Sequence, residues 1–553
     1  MACGVLCVLQ MCCAAPRRAR KFITTRYRGG LTLKTTRLRH YLSAGTLAML
    51  ACAVLPPAEA KDGQAILNAK CMACHTPEGN DALSRISHQR KTPEGWLMSI
   101  ARMQVMYGVK ISDEDRRSVV KYLADKQGLA PSETDGVRYA MERRLNTVET
   151  FDEPLNQMCA RCHSGARVAL QRRPLQEWER LVEFHLGRWP SLEYQMMSRD
   201  RDWLGLARNE VAPKLAKDYP LESQAWSDWQ KNKPSAEVLP GQWSFSGHMM
   251  TKGDVRGVMS VTHDSGDTFN IEVKGQYADG TPFNGSGSAI VYNGYEWRGN
   301  LKIGDVRMHQ VFAALNGEMK GRMFETEHDE RGLEFSAAKH DNARLLAVQP
   351  AFIRAGSEVE LTLVGSGLSG TPDLGAGVEV LKVLENTPQR LRLKVKAAAD
   401  AAPGIRNVAL GALNGVDLAV YNEVAEVKVV PAYSVARIGE NGGTTPKVQG
   451  RFEAEAWGKG ADGQPYRIGY LPAKWTVEPF NEQARDDEDV KFAGTMQRDG
   501  VFLPAGAGPN PQRKMMANNV GNLKVIAQLE EGGMQGEGQL IVTVQRWNNP
   551  PLP

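Results

Sequence analysis

Two pentapeptides carry the chemistry of this chain: Cys71-Met72-Ala73-Cys74-His75 and Cys159-Ala160-Arg161-Cys162-His163. Each reads C-x-x-C-H, the attachment motif for a c-type haem. Two thiols at this spacing lie about one helical turn apart on a shared face, where they can form thioether bonds to the two haem vinyl groups. The histidine immediately after them places an imidazole nitrogen under the iron as proximal ligand. A zinc site or a simple C-x-x-C redox pair does not need His directly after the second Cys, and neither predicts two copies. Cys71, Cys74, Cys159 and Cys162 are therefore assigned to covalent haem c, and His75 and His163 to the irons.

An iron held from one side needs a sixth ligand, and the elements that supply it form an internal repeat. In register after the first motif comes Thr92-Pro93, then Trp96, then Met103; after the second comes Pro174, then Trp178, then His185. In both copies the Trp stands seven residues before the candidate ligand, two helical turns, so each pair shares one helix face. Equivalent repeat positions make Met103 and His185 the distal ligands, giving His75/Met103 on the first iron and His163/His185 on the second. Met106, one turn on, competes with Met103, and His88 is the fallback for either iron. Thr92 and Pro93 read as N-cap and first residue of the Met103 helix. A further helix over 111–125, with Ser112 as N-cap and an acidic first turn, resembles the last helix of small cytochromes c. The second copy departs from that pattern through Trp203 to Lys217, read as helical but packed differently. Because a thioether raises the potential of the iron and a second imidazole lowers it, electrons should run from the His163/His185 site to the His75/Met103 site.

At 553 residues the chain calls for three or four domains. Its formal charge of +5 is concentrated at the start: nine of the 68 Lys/Arg and one of the 63 Asp/Glu precede position 61, which leaves 59 basic and 62 acidic residues, a net of −3. No basic stripe remains, which excludes a nucleic-acid partner. Arg37, Arg39 and His40, the apolar run Tyr41 to Leu55, and Ala58-Glu59-Ala60 read as an export signal with its cleavage site, so the mature chain is expected to begin near Lys61. The run is shorter than the roughly 20 residues needed to cross a bilayer, and no other stretch is a candidate membrane span. The first thirty or so residues fit no signal, which points to a start codon set too far upstream. Five of the nine Cys (Cys3, Cys7, Cys12, Cys13, Cys52) fall in the removed segment, so the haem motifs use every remaining thiol. Export together with covalent haem implies the bacterial periplasm.

After Lys233-Pro234 the helical periodicity stops and short alternating runs begin. Phe269 to Tyr277 alternates cleanly. Asn293-Gly294 and Asn316-Gly317 separate pairs of such runs, the signature of type I′ hairpins, and successive hairpins over 241–339 predict an up-and-down barrel. Residues 345–368, with Arg390 to Val395 and Val424 to Val430, predict an immunoglobulin-like sandwich without a disulfide. The last unit is also β-rich, with Trp475 and Trp547 as core aromatics and Pro504 to Asn522 as a long surface loop. No catalytic constellation occurs here. Gly365-Ser366-Gly367 and Gly506-Ala507-Gly508 do not open a helix after a strand, as a nucleotide cradle must. The run Asp486 to Asp489 reads as a solvated face rather than a calcium site, and His309 and His340 as surface or core-satisfied residues. The fold class is thus multidomain α + β: presequence 1–60, a mostly helical dihaem cytochrome c domain 61–233, then three antiparallel β domains, a barrel at 234–342 and sandwiches at 343–431 and 432–553.

A repeated haem c domain with Met and His as distal ligands, followed by three β domains without a catalytic set, resembles the alpha (large, dihaem) subunit of quinohemoprotein amine dehydrogenase. The resemblance spans the mature chain and is most specific over 71–185. It implies a periplasmic heterotrimer: a small γ subunit with cysteine tryptophylquinone, a β subunit that is a propeller, and this chain as the electron acceptor. It further implies oxidative deamination of primary amines on the partner, with electrons leaving to an external blue copper protein or small cytochrome c. The cysteine count agrees, because a Cys-linked tryptophylquinone needs a free Cys and this chain has none to spare. Two other readings stay open at this point: a dihaem cytochrome c peroxidase, and the electron-transfer subunit of a different periplasmic dehydrogenase.

Overall fold

Local capping starts and stops the first helices where the sequence says they should. In the computed structural model, which describes residues 62–194, 199–441 and 446–544, Asp62 caps the helix Gly63–Cys71 by accepting from the Gln64 amide at 2.9 Å. Thr92 caps Pro93–Tyr107 by accepting from the Gly95 amide, and Gly108 ends that helix in the left-handed region at φ 69°. Ser112 caps Asp113–Lys126 in the same way, with Asp113, Glu114 and Asp115 placed against the positive end of the helix dipole. The His185 helix is Leu175–Arg188. Beyond it Trp203–Leu206, a π-turn over Ala207–Val211 and Ala212–Asp218 form one irregular helical run. It packs Ala207, Val211 and Leu215 against Trp178, where the first copy uses a straight helix. The presequence, its cleavage site and Trp547 lie outside the described residues. No described helix is long and apolar enough to cross a membrane.

The barrel is closed. Eight strands run from Gly241–Met249 to His328–Lys339; each pairs antiparallel with the one before it, and the last returns to the first with Lys339 opposite Trp243. Asn316-Gly317 is a two-residue turn with both φ positive, at 52° and 72°. Asn293-Gly294 also has both φ positive but takes Tyr295 into the loop, because strand pairing resumes only at Tyr292 opposite Glu296. Alternation fills the interior with Trp243, Phe245, Phe269, Trp297, Phe312 and Phe335. The one polar intruder, Gln310, is satisfied by the Trp297 indole N–H at 2.9 Å. An eight-stranded barrel packed this way is a core, not a ligand cavity.

The third unit is a sandwich. One sheet holds Arg344–Gln349, Glu358–Ser366, Arg390–Ala397 and Val378–Thr387; the other holds Phe352–Arg354, Leu413–Tyr421, Gly404–Leu410 and Pro372–Asp373. Leu361, Leu363, Leu393, Val395, Leu418 and Val420 meet between them. The run Val424 to Val430 does not close this sandwich. Its strand Glu426–Val430 pairs with Glu453–Lys459 and so belongs to the last unit, since Val427 and Val429 bury against Ala454 and Val525 rather than against the third core. Two pairings are parallel, Phe352–Arg354 with Ala419–Tyr421 and Tyr433–Arg437 with Gln539–Thr543, in sheets otherwise antiparallel. Trp475 packs half-buried on the last core. The acidic run is not wholly solvated either: Asp489 turns inward, where it pairs with the buried Arg513 and accepts from the Asn522 amide at 2.8 Å. Arg513 also donates to the Asn518 and Val520 carbonyls within the 504–522 loop and, at 2.9 Å, to the Asp487 carbonyl outside it, which ties the loop to the acidic run.

One contact joins the barrel to the last unit through a titratable group. His248 on the first barrel strand lies between Asp254, at 3.0 Å, and Glu453, at 2.9 Å. Burial disfavours the imidazolium, but hydrogen bonds and charge from Asp254 and Glu453 outweigh it and hold His248 up at about 9. A folded-state value above the unfolded one means a stabilisation fully present below about pH 6.5 and lost as pH rises through 9. We expect His248→Asn to lower the melting temperature at pH 6 and to leave it almost unchanged at pH 10. Equal losses at both pH values, read by differential scanning calorimetry, would remove this account.

Candidate haem sites

The first motif extends a helix by one turn. Cys71 is the last residue of Gly63–Cys71, and its carbonyl accepts from the amides of both Cys74 and His75, at 3.1 and 3.0 Å. Cys71 is half-buried beside Leu67, Trp96, Leu97, Ile100 and Leu123, while Cys74 is exposed. The His75 Nδ1 donates to the Ser84 carbonyl at 2.8 Å, and the Ser84 hydroxyl accepts from the Thr76 amide.

The second motif begins on a π-turn, Asn156–Ala160, which carries Cys159. Glu149 organises the segment just beyond His163, accepting from the Ser164 hydroxyl and, at 2.7 Å, from the Gly165 amide. The His163 Nδ1 donates to the Ser164 carbonyl at 3.0 Å, and the His185 Nδ1 to the Leu181 carbonyl, one turn back on its own helix, at 2.7 Å. Burial pushes His163 down to about 4 and also lowers His185, so both rings are neutral at pH 7; burial pushes the Cys159 thiol up to about 12.

The three candidate iron-binding imidazoles share one device. Each commits Nδ1–H to a backbone carbonyl, which fixes the tautomer and leaves Nε2 with a free lone pair and no partner among the described residues. That is the arrangement a haem iron requires, and with paired thiols on adjoining turns the residues fit covalent haem at both motifs. Met103 and Met106 are both half-buried on Pro93–Tyr107. His88 is engaged elsewhere, its Nε2 lying 3.0 Å from Glu78. His340 hydrogen-bonds the Ser244 hydroxyl, and His309 packs against Phe324.

The repeat has a structural counterpart that sequence reasoning does not reach. The short strand Arg90–Lys91 pairs antiparallel with Gln171–Arg172, so that Arg90 and Arg172, equivalent residues of the two copies, stand opposite each other. Buried Glu133 sits at the join: Arg90 grips it with both terminal nitrogens at 2.7 and 2.8 Å, and Arg172 reaches it at 3.2 Å. Lys91 lies over Trp96 and Arg173 over Trp178. The same register brings the two distal helices into contact, with the Arg102 guanidinium 5.0 Å from the Phe184 ring centroid, each residue adjoining a candidate distal ligand. A signal does exist in the sequence: Arg90-Lys91 and Arg172-Arg173 stand at equal distance before the two tryptophans.

The barrel holds this domain in place. Arg298 pairs with Glu94, in the first turn of the Met103 helix, and with Glu296. The Asn293 side-chain amide and the Tyr295 hydroxyl both donate to the Leu129 carbonyl, at 2.7 and 3.2 Å.

Family models match nearly all of the chain after residue 60. Residues 61–226 match quinohemoprotein amine dehydrogenase A, alpha subunit, haem binding. Residues 236–340, 342–422 and 427–552 match domains II, III and IV of the same alpha subunit. No curated protein matches the chain. Among solved structures, a de novo designed fluorescence-activating β-barrel aligns at 25% identity over 19% of this chain and 95% of its own, with a TM-score of 0.17. A Bacteroides ovatus mixed-linkage glucan utilisation protein, SGBP-B, aligns at 10% identity over 54% of this chain and 61% of its own, with a TM-score of 0.18. Neither likeness bears on function.

Proposed function

This chain belongs to the family of quinohemoprotein amine dehydrogenase alpha subunits, and from that membership we propose that it is the electron-accepting dihaem subunit of a periplasmic enzyme that deaminates primary amines. An oxidoreductase role and the existence of partner subunits come with the family. The finer parts of the proposal are two covalent c haems, a propeller β subunit, a γ subunit carrying cysteine tryptophylquinone, and an external blue copper protein or cytochrome c as acceptor.

Converting a primary amine to aldehyde and ammonia releases two electrons, which a quinone can hold as a pair and an iron only singly. When bound, the two haems supply one-electron storage at fixed positions. Cys71, Cys74, Cys159 and Cys162 hold them covalently. Ser84, Ser164 and Leu181 orient His75, His163 and His185 through Nδ1, so that each Nε2 can serve as an axial ligand. Met103 would hold the other iron, and a thioether there would make its site the more oxidising of the two. One observation carries the proposal: the two distal helices touch at Arg102 and Phe184, which supports passage between the two sites inside this subunit. The barrel contacts of Glu94 and Leu129 hold the helical domain beside that contact.

The test is purification of the native protein from the periplasm. We expect two covalent haems per chain by the pyridine haemochrome assay and a small companion chain that stains for redox-cycling quinone. Fewer than two haems, or amine turnover by this chain alone, would falsify the assignment.

A further inference from the structure

Between the two haem motifs lies a cluster of cations that the protein does not neutralise. Lys91 and Arg173 are only 3% and 4% exposed, and they occupy equivalent positions of the two copies. Arg102 precedes Met103, and Arg167 lies four residues beyond His163. Lys91 has a hydroxyl partner, Ser99, at 2.7 Å; Arg167 reaches the Met98 sulfur at 3.2 Å; Arg102 lies over Phe184. Among the described residues no carboxylate pairs with any of these three. Fully buried Glu177 is already shared by Arg85, Arg180 and, at 3.8 Å, Arg173, and Glu149 is taken up by the Ser164 hydroxyl and the Gly165 amide. Three cations thus share one carboxylate, and Lys91, Arg102 and Arg167 have none. Burying unpaired charge is costly, so such a cluster calls for an anion that the polypeptide does not contain. A second observation points the same way. The Trp178 indole N–H is buried beneath Arg173 and has no hydrogen-bond partner, whereas the equivalent Trp96 donates to the Gln127 carbonyl at 3.1 Å.

We infer that Lys91, Arg102, Arg167, Arg173 and the Trp178 N–H form a carboxylate seat for the propionates of both haems where the two copies meet. The inference rests on the dihaem reading above. Two haems bring four carboxylates, the only anions that reading places beside these side chains. Arg102 lies over Phe184, the residue before His185, Arg173 lies over Trp178 on the same helix, and Arg167 reaches Met98 on the Met103 helix, which places the cluster where the two distal helices meet. The consequence is electrostatic. Fixed positive charge favours the reduced iron, and because one cluster serves both sites, removing one cation shifts both potentials in the same direction.

The test is spectroelectrochemistry of the holoprotein. Arg167→Gln should move the reduction equilibrium of the His163/His185 site about tenfold toward the oxidised form, 59 mV for a one-electron couple, with a smaller shift of the same sign at the other site. Arg167→Lys should restore most of it. Reduction equilibria within twofold of the parent at both sites in Arg167→Gln and Arg102→Gln overturn the inference. Should a variant fail to load haem, the unmodified holoprotein decides. With haem labelled by 13C at the propionate carboxyls, infrared difference bands should be those of carboxylates bonded to guanidinium, and bands of water-exposed carboxylates overturn the seat. A parent protein with fewer than two haems refutes the dihaem reading itself; two haems with unmoved potentials refute only the seat.

Discussion

Glu133→Ala is expected to destabilise the helical domain by about 3–5 kcal/mol, the usual cost of leaving buried charge without its partner. Arg90 and Arg172 are 2% and 6% exposed, and both rely on this one carboxylate. Glu133 also accepts from the Ala130 amide and the Ser223 hydroxyl, each at 2.8 Å, so it ties four segments together at the join of the two copies. Burial alone would raise its carboxyl, but Arg90 and Arg172 outweigh that and hold it down at about 2. Because the folded-state value is depressed, the stabilisation is complete above about pH 4.5 and is lost as pH falls toward 2. Denaturant titration followed at the haem Soret band reads the helical domain separately from the β units. We expect a midpoint far below that of the parent at pH 7, converging with it near pH 2. A midpoint unchanged at pH 7 would show that the join contributes nothing to stability.

Substitution of the proposed distal ligands is expected to have the largest effect on function. His185→Ala should convert one of two low-spin irons to high spin and raise its potential by at least tenfold in the reduction equilibrium, 59 mV for one electron, because a strong donor to ferric iron is lost. Electron delivery to an external acceptor should slow in parallel. Met103→Ala should likewise leave the other iron high-spin, whereas Met106→Ala should leave both low-spin. Low-temperature EPR of the oxidised protein separates these outcomes. A high-spin signal from Met106→Ala and none from Met103→Ala would move the ligand one turn along the helix. Two unaltered low-spin signals in His185→Ala would place the second distal ligand elsewhere.

The readable part of this protein is the part that local chemistry dictates. Thr92, Ser112 and Gly108 cap helices through bonds to atoms a few residues away, so their roles survive without knowledge of the fold. Asn316-Gly317 can be read because a two-residue I′ turn needs positive φ at both positions, and consecutive hairpins leave the chain few topologies besides a barrel. The strand 426–430 misleads for the converse reason. Its alternation names a buried face but not the sheet that buries it. Asp489 misleads too, since a charge run reveals nothing of the buried arginine, 24 residues away, that turns one member inward.

By itself the sequence determined that two C-x-x-C-H turns exist, that a repeat places Met103 and His185 in register, and that strands replace helices after position 233, because each rests on spacing within a few turns of chain. Only the tertiary structure decided what the two copies do to each other. Glu133 between two arginines, Arg102 against Phe184, and Arg85 on Glu177 all join residues far apart in sequence. Such pairings depend on which charges lose their water together, and that is fixed by packing rather than by order along the chain.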